Sequence, residues 1–392
     1  METIYFDHSA TTPLDPRVVD AMLPFYEARF GNPSSLHWAG QQAKLAIDEG
    51  RRQVAELFHA SPEEIIFTAS GTEADNMALI GVARQYKPQE CHIITSAFEH
   101  PAILETCKYL KGIGYAISYL PVTSEGIVEP ESLRQALRPN TRLVSVMVAN
   151  NVVGTLQPVA ELAKITRAHG ALFHTDAVQA VGKIPLYMNA MPVDLLSLSA
   201  HKLYGPKGIG ALYIRKGVNI EPLIHGGGQE SGLRSATENV AAISGLGKAA
   251  EIACQEMARE AARLVTLRDR IIAAITEQIP NAYLIGHPFK RLPGHICLGF
   301  SGQEGEAIKL MLSLNEEGVA ISTGSACSSH NAGQPSYILM AMGMDPIRAR
   351  GSLRITLGRF NTDVEVDTFL EILPRLVGEL RPVTSRSFAT IS

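Results

Sequence analysis

The chain has 392 residues, 46% of them hydrophobic, with a formal net charge of −4 and a pI near 6.3. That balance, with no basic run, excludes an electrostatic footprint for nucleic acid. No apolar stretch reaches the roughly 18 residues of a membrane span, and the start "METIYFDHSATT" lacks the basic-then-apolar order of a secretory signal.

Short apolar runs follow one another along the first two thirds: "EIIFTAS" (64–70), "HIITSA" (92–97), "YAISYLPV" (115–122), "RLVSVMVAN" (142–150), "ALFHTDA" (171–177), "DLLSLSA" (194–200) and "GIGALYI" (208–214). Continuous apolar character suits parallel strands buried on both faces. Helix-period segments such as 72–86 and 159–170 lie between several of them, which predicts a doubly wound α/β domain. From about Asn239 to Ile279 the pattern is helical, as one or two long helices. Beyond it, "HICLGF" (295–300), "VAIST" (319–323) and "SLRITLG" (352–358) read as strands, and two amphipathic helices accompany them. Thr362 and Glu365 form a capping box before the second helix. The expected division is an N-terminal segment 1–15 packing with the small domain, a large domain 16–260 and a small α+β domain 261–392.

Candidate chemistry gathers at strand ends. Asp176 closes one predicted strand, and Lys202 lies just past another, flanked by Ser199 and His201. Sites in open α/β sheets form at the carboxyl ends of strands. A lysine and a carboxylate there suit pyridoxal 5'-phosphate, the lysine taking the aldehyde and the aspartate holding the pyridinium proton. In "TASGTEADN", Gly71 permits close backbone approach, and a helix beginning at Thr72 offers N–H groups to a phosphate. Ser199 and His201 can add donors, and the His100 imidazole can stack on a ring. A lone thiol, Cys327, sits in the polar run "STGSACSSHNAGQ" (322–334), which buries little apolar area. The other cysteines, Cys91, Cys107, Cys254 and Cys297, lie in apolar runs and are expected in the core. With no C-x-x-C pair, neither a zinc ribbon nor a disulfide framework is indicated, so a reduced, cytoplasmic enzyme is expected.

Taken together and in order, "DHSATTP", "FGNPSSLH", "TASGTEADN", "FEHPA", "NNVVGTLQP", "HTDAVQAVGK", "SLSAHKLYGPKGIGALY", "HGGGQESGLRSAT", "STGSACSS" and "SLRITLGRF" resemble the cysteine desulfurases of the NifS/IscS type. The resemblance runs from Tyr5 to about residue 380. It implies the type I fold of pyridoxal-phosphate enzymes and a homodimer. Lys202 would bind the cofactor aldehyde, Asp176 the ring nitrogen and Gln179 the ring hydroxyl, with His100 stacked on the ring. Gly71, Thr72, Ser199 and His201 would hold the phosphate, together with Thr237 of the partner subunit. Asn151 and Arg354 would receive the substrate carboxylate. Cys327 would take sulfur from L-cysteine as a persulfide, release L-alanine, and pass the sulfur to an acceptor or iron–sulfur scaffold protein. No free metal ion is implied, although Cys327 could transiently ligate an iron–sulfur cluster.

Some positions depart from the pattern. Val152 stands where an acidic residue is common, Ser231 where a basic one is, and "RPVTSRSFATIS" lacks the longer tail of many relatives; these bear on partner choice. Two other functions stay open, a pyridoxal-phosphate lyase cleaving cyst(e)ine by α,β-elimination and a non-catalytic sulfur-transfer platform. "HGGG" without a G-x-S-x-G elbow does not make a serine hydrolase, and "GPKG" is not a phosphate-binding P-loop. His174 and Asp176 alternate on one strand face and could bind a metal, but two ligands are weak evidence for a site.

Overall fold

In the computed structural model, residues 3–324 and 334–380 are described. After a short strand β1 (Ile4–Tyr5) come three helices, α1 (Pro16–Met22), α2 (Pro24–Glu27) and α3 (Trp38–Leu57). Alternating elements then run β2 (Ile65–Thr68), α4 (Gly71–Ala83), β3 (His92–Ser96), α5 (Pro101–Gly112), β4 (Ala116–Leu120), α6 (Pro130–Ala136), β5 (Thr141–Ser145), α7 (Val159–His169), β6 (Leu172–Asp176), β7 (Leu195–Ser199) and β8 (Gly210–Ile214). The apolar runs become buried strands because helices cover both faces of their seven-stranded sheet, of order β2-β8-β7-β6-β5-β3-β4. Ile47, Val54, Leu162, Ala242 and Leu246 belong to the apolar cluster on one face. Met77, Leu79, Ile103 and Leu110 belong to the cluster on the other.

One strand departs from the expected parallel set. β8 pairs antiparallel with both β2 and β7. A parallel return needs a crossover of a dozen or more residues, usually through a helix. Between Ser199 and Gly210 there is only a short 3-10 turn and a turn through Gly208, whose φ is +82°. The chain therefore doubles straight back. Because β2 and β7 both oppose β8, they run in the same direction as each other and as β3, β5 and β6. The carboxyl ends of all these strands share one edge.

A single 39-residue helix, α8 (Val240–Gln278), leaves this sheet. Its first half packs Ala242, Leu246 and Ala253 into the sheet core, and its second half puts Leu264, Ile271 and Ile275 into a separate apolar cluster. After α8 come β9 (Ala282–Leu284), β10 (His295–Phe300), α9 (Ala307–Glu316), β11 (Val319–Ala320), β12 (Ser322–Thr323), α10 (Tyr337–Ala341), β13 (Ser352–Thr356) and α11 (Asp363–Glu379), with Ile338 and Leu339 of α10 in a further apolar cluster. The capping box of Thr362 and Glu365 starts α11. The run "VAIST" serves two sheets rather than one. β11 pairs parallel with β1, and β12 pairs antiparallel with β13 in the order β12-β13-β10-β9.

Cys91, Cys107 and Cys297 are buried, but Cys254 is exposed. It sits on α8 beside the buried Ala253, on the face turned to solvent. On a long helix the facing of a residue follows the 3.6-residue period and not the local hydrophobicity.

Candidate active site

The shared strand edge opens into a cleft of about 340 Å³. Its lining includes Gly71, Thr72, His100, Asn151, Asp176, Gln179, Ser199, His201, Lys202 and Arg354, so the structure brings together nearly every site residue expected from sequence. Thr237 is exposed and does not line the cleft. Cys327 lies outside the described residues. Each position follows from the topology. Gly71 and Thr72 begin the helix after β2, His100 follows β3, Asn151 follows β5, Asp176 ends β6, Ser199 ends β7 and Lys202 comes just beyond it. Gln179 lies in the turn after β6, and Arg354 reaches in from β13 of the smaller sheet.

The helix at the cleft starts at Gly71, one residue earlier than expected, because Ser70 acts as its N-cap: the Ser70 Oγ accepts from Glu73 N–H at 3.1 Å. A Cβ built on Gly71 would meet Val178 Cγ2 at 2.6 Å and Ser199 Cβ at 3.3 Å. Only glycine lets the helix end approach the sheet this closely. The result is an open N-terminus facing the cleft beside Ser199 and His201, a donor set suited to a phosphate.

Lys202 lines the cleft. Its Nζ donates to the backbone carbonyls of Ser9 and of Ala10, the latter at 2.6 Å. The Gln179 Nε2 donates to the same Ser9 carbonyl at 3.0 Å. Asp176 is buried and its Oδ1 accepts from Val178 N–H at 2.8 Å. Burial raises its carboxyl above the usual range, opposed by His100, the Val178 amide and Lys202. His100 caps α5, its Nδ1 accepting from Ala102 N–H at 3.1 Å, which puts the proton of the neutral ring on Nε2 as a donor. Burial lowers its pKa, Asp176 pulls the other way, and the Lys202 charge lowers it further. His201 is likewise brought down to about 4, chiefly by burial, and its Nδ1 is paired with Thr11 Oγ1 at 3.1 Å.

Arg354 is almost wholly buried. Its NH1 donates to the Asn151 carbonyl at 3.2 Å and its NH2 to Asp7 Oδ1 at 2.9 Å. The Asn151 carbonyl also accepts from Ser9 Oγ at 2.7 Å. A carboxylate acid at Asp75, one helical turn into α4, faces the same cleft. Burial and the nearby Asp176 charge raise its pKa well above the usual range. His174 is hydrogen-bonded to Ser145 Oγ at 2.8 Å and to Ser197 Oγ at 3.0 Å.

Asp7, Ser9, Ala10, Asp75 and Ser322 were not among the residues singled out from sequence. Backbone carbonyls such as those of Ser9 and Ala10 leave no side-chain signature. For Asp75 a signal did exist: an acid one turn after Gly71, on the face of α4 that the apolar pattern buries.

The donors fit pyridoxal phosphate. A glycine-walled helix end suits its phosphate, a buried carboxylate its ring nitrogen, and a primary amine its aldehyde. Residues 4–369 match the aminotransferase class-V family. Among curated relatives, the cysteine desulfurase IscS of Dictyoglomus turgidum is 49% identical over 97% of this chain and 96% of its own length. That of Methanosarcina thermophila is 47% identical over 100% of this chain and 96% of its own. Among solved structures, a NifS-like protein superposes with a TM-score of 0.90 at 41% identity, covering 96% of this chain and all of that one. SspA in complex with cysteine gives 0.79 at 34% identity, covering 92% of this chain and all of SspA. The chain belongs to the class-V aminotransferase family of pyridoxal-phosphate enzymes and, within it, to the cysteine desulfurases of the NifS/IscS type.

Proposed function

We propose that the protein removes sulfur from L-cysteine, giving L-alanine and a persulfide on Cys327. The observation that carries this reading is the convergence of Lys202, Asp176, His100 and Arg354 on one cleft. Pyridoxal phosphate, when bound, supplies an electron sink at the substrate α-carbon. Lys202 would hold its aldehyde, Asp176 the ring-nitrogen proton and Gln179 the ring hydroxyl, with His100 against the ring. Gly71, Thr72, Ser199 and His201 would hold the phosphate.

Arg354 and Asn151 then orient the substrate carboxylate, the planar guanidinium giving a two-pronged contact. The Lys202 amine moves the proton at the substrate α-carbon. His100, kept neutral by its burial and carrying its ring proton on Nε2, can donate to the thiolate and so assists ionisation of a thiol whose free pKa is about 8.5. Cys327 Sγ attacks the substrate sulfur. The S–S bond forms as the carbon–sulfur bond breaks, and the carbon keeps the electron pair and takes a proton.

A homodimer is part of the proposal, with Thr237 of the partner subunit completing each phosphate site. It is supported by the exposure of Thr237 and by a run of exposed large apolar side chains, Phe30, Leu36, Trp38 and Leu45, along and just before α3. The persulfide would pass to an iron–sulfur scaffold or another thiol acceptor. No helix among the described residues is long and apolar enough to cross a membrane, and we place the reaction in the cytoplasm. The proposed division into 1–15, 16–260 and 261–392 is supported by the pairing of β1 with β11 and by separate apolar clusters along the two halves of α8.

The test is to give the holoprotein L-cysteine and identify the organic product. Alanine with sulfide equivalents is expected. Pyruvate would replace this reading with α,β-elimination, and no product would leave only a sulfur-transfer platform.

A further inference from the structure

In the segment Asp7–Thr12, Ser9 and Ala10 line the cleft. Within it, Asp7 uses both carboxylate oxygens. Oδ1 accepts from Arg354 NH2 at 2.9 Å, and Oδ2 accepts from Ser322 Oγ at 3.0 Å. The arrangement is built into the backbone. Ser322 and Arg354 are opposite each other in the β12–β13 ladder, and Asp7 forms a bridge with Thr356 two residues along β13. Arg354 and Asp7 side chains are 3% and 15% exposed. The second terminal nitrogen of Arg354 is held by the Asn151 carbonyl. The buried Nε–H has no acceptor among the described residues.

A guanidinium binds a carboxylate well only if its plane is set beforehand, because the fork is directional. A buried, unpaired N–H is also costly unless a ligand satisfies it. Arg354 thus has its plane set from two sides and keeps a donor in reserve. We infer that Asp7 is the positioning residue for the substrate carboxylate: through Arg354, and braced by Ser322, it fixes the guanidinium plane before the substrate arrives. This deepens the functional reading above and rests on it.

The test uses a pair of unreactive amines that differ only by the carboxylate, L-alanine and ethylamine. Each is titrated into holoenzyme and followed by the absorption of the bound cofactor, without turnover. Asp7→Ala should weaken L-alanine at least tenfold, equivalent to about 1.4 kcal/mol, and leave ethylamine within twofold of wild type. Asp7→Asn, which keeps an acceptor oxygen for NH2, should restore L-alanine to within threefold. Equal weakening of both amines would mark general damage and overturn the inference, as would unchanged L-alanine binding in Asp7→Ala. An Asn variant as weak as the Ala variant would show that charge and not orientation is supplied, which also overturns it. If Asp7→Ala does not fold, Ser322→Ala removes the brace. It should weaken L-alanine several-fold with ethylamine unmoved, and no selective loss there refutes the positioning role. Wild-type holoenzyme that responds to neither amine would instead sink the functional reading itself.

Discussion

Replacing Gly71 by alanine separates the cost to the fold from the cost to the cofactor site. The new Cβ would lie 2.6 Å from Val178 Cγ2 and 3.3 Å from Ser199 Cβ. The first distance is shorter than carbon atoms tolerate, and valine is stiff about χ1, so it cannot swing aside. The start of α4 must move away from the sheet or the Val178 turn must move outward. Overpacking of this kind costs about 1–3 kcal/mol. Against it, alanine is the better helix former by about 0.5–1 kcal/mol. The net loss of stability is therefore small, between about zero and 2.5 kcal/mol, and the fold survives. The phosphate site does not escape, because the helix N–H groups are displaced by a few tenths of an ångström from donors on Ser199 and His201. Cofactor affinity should fall about ten- to a hundredfold, or about 1.4–2.8 kcal/mol. Thermal unfolding of the apoprotein gives the first number, and titration of pyridoxal phosphate into it gives the second. Val178→Ala in the same chain removes the colliding methyl and should recover most of the lost affinity, a coupling expected of residues in contact. Wild-type cofactor affinity in Gly71→Ala, or no recovery in the double variant, would refute the close-approach argument.

Arg354→Lys should raise KM for L-cysteine at least tenfold with a smaller change in kcat, since an ammonium cannot reproduce the fork; unchanged kinetics would move carboxylate binding elsewhere. Cys327→Ala should still bind cofactor and substrate yet release almost no alanine, and mass spectrometry of the wild type after cysteine treatment should find the added sulfur on the Cys327 peptide. Its appearance on the exposed Cys254 instead would contradict the assignment. Glu99, buried beside His100, has a carboxyl pushed up to about 8 by burial, opposed by Ser96 Oγ–H at 2.5 Å and the Met147 N–H. An acid whose folded pKa is raised binds more protons folded than unfolded, so its contribution falls as pH rises from about 4.5 to about 8. Glu99→Gln should flatten that loss in the apoprotein's unfolding free energy, followed by denaturant titration at several pH values, by an amount on the order of a few kcal/mol across the window, and an unchanged slope would show that other groups set it.

Much of this protein could be read along the chain. Buried parallel strands announce themselves as unbroken apolar runs, so the sheet of the large unit was legible almost strand by strand. The residues that follow those strands were legible with it, because a parallel sheet sends its strand ends to one edge whatever the details. Gly71, His100, Asp176 and Lys202 converge for that reason. The capping box at Thr362 was equally local. Other features needed the folded chain. The direction of β8 depended on the absence of a crossover helix after Lys202, and the exposure of Cys254 on which way one face of α8 turned. The splitting of "VAIST" depended on β1 and β13 offering separate partners. The clearest case is the segment from Asp7 to Ala10. It touches Lys202 through carbonyl oxygens, which every residue possesses, and Arg354 through a carboxylate hundreds of residues away in sequence. Apolar periodicity records which face of an element is buried. It carries no record of which distant loop lies against that face, and that is decided only when the two units pack together.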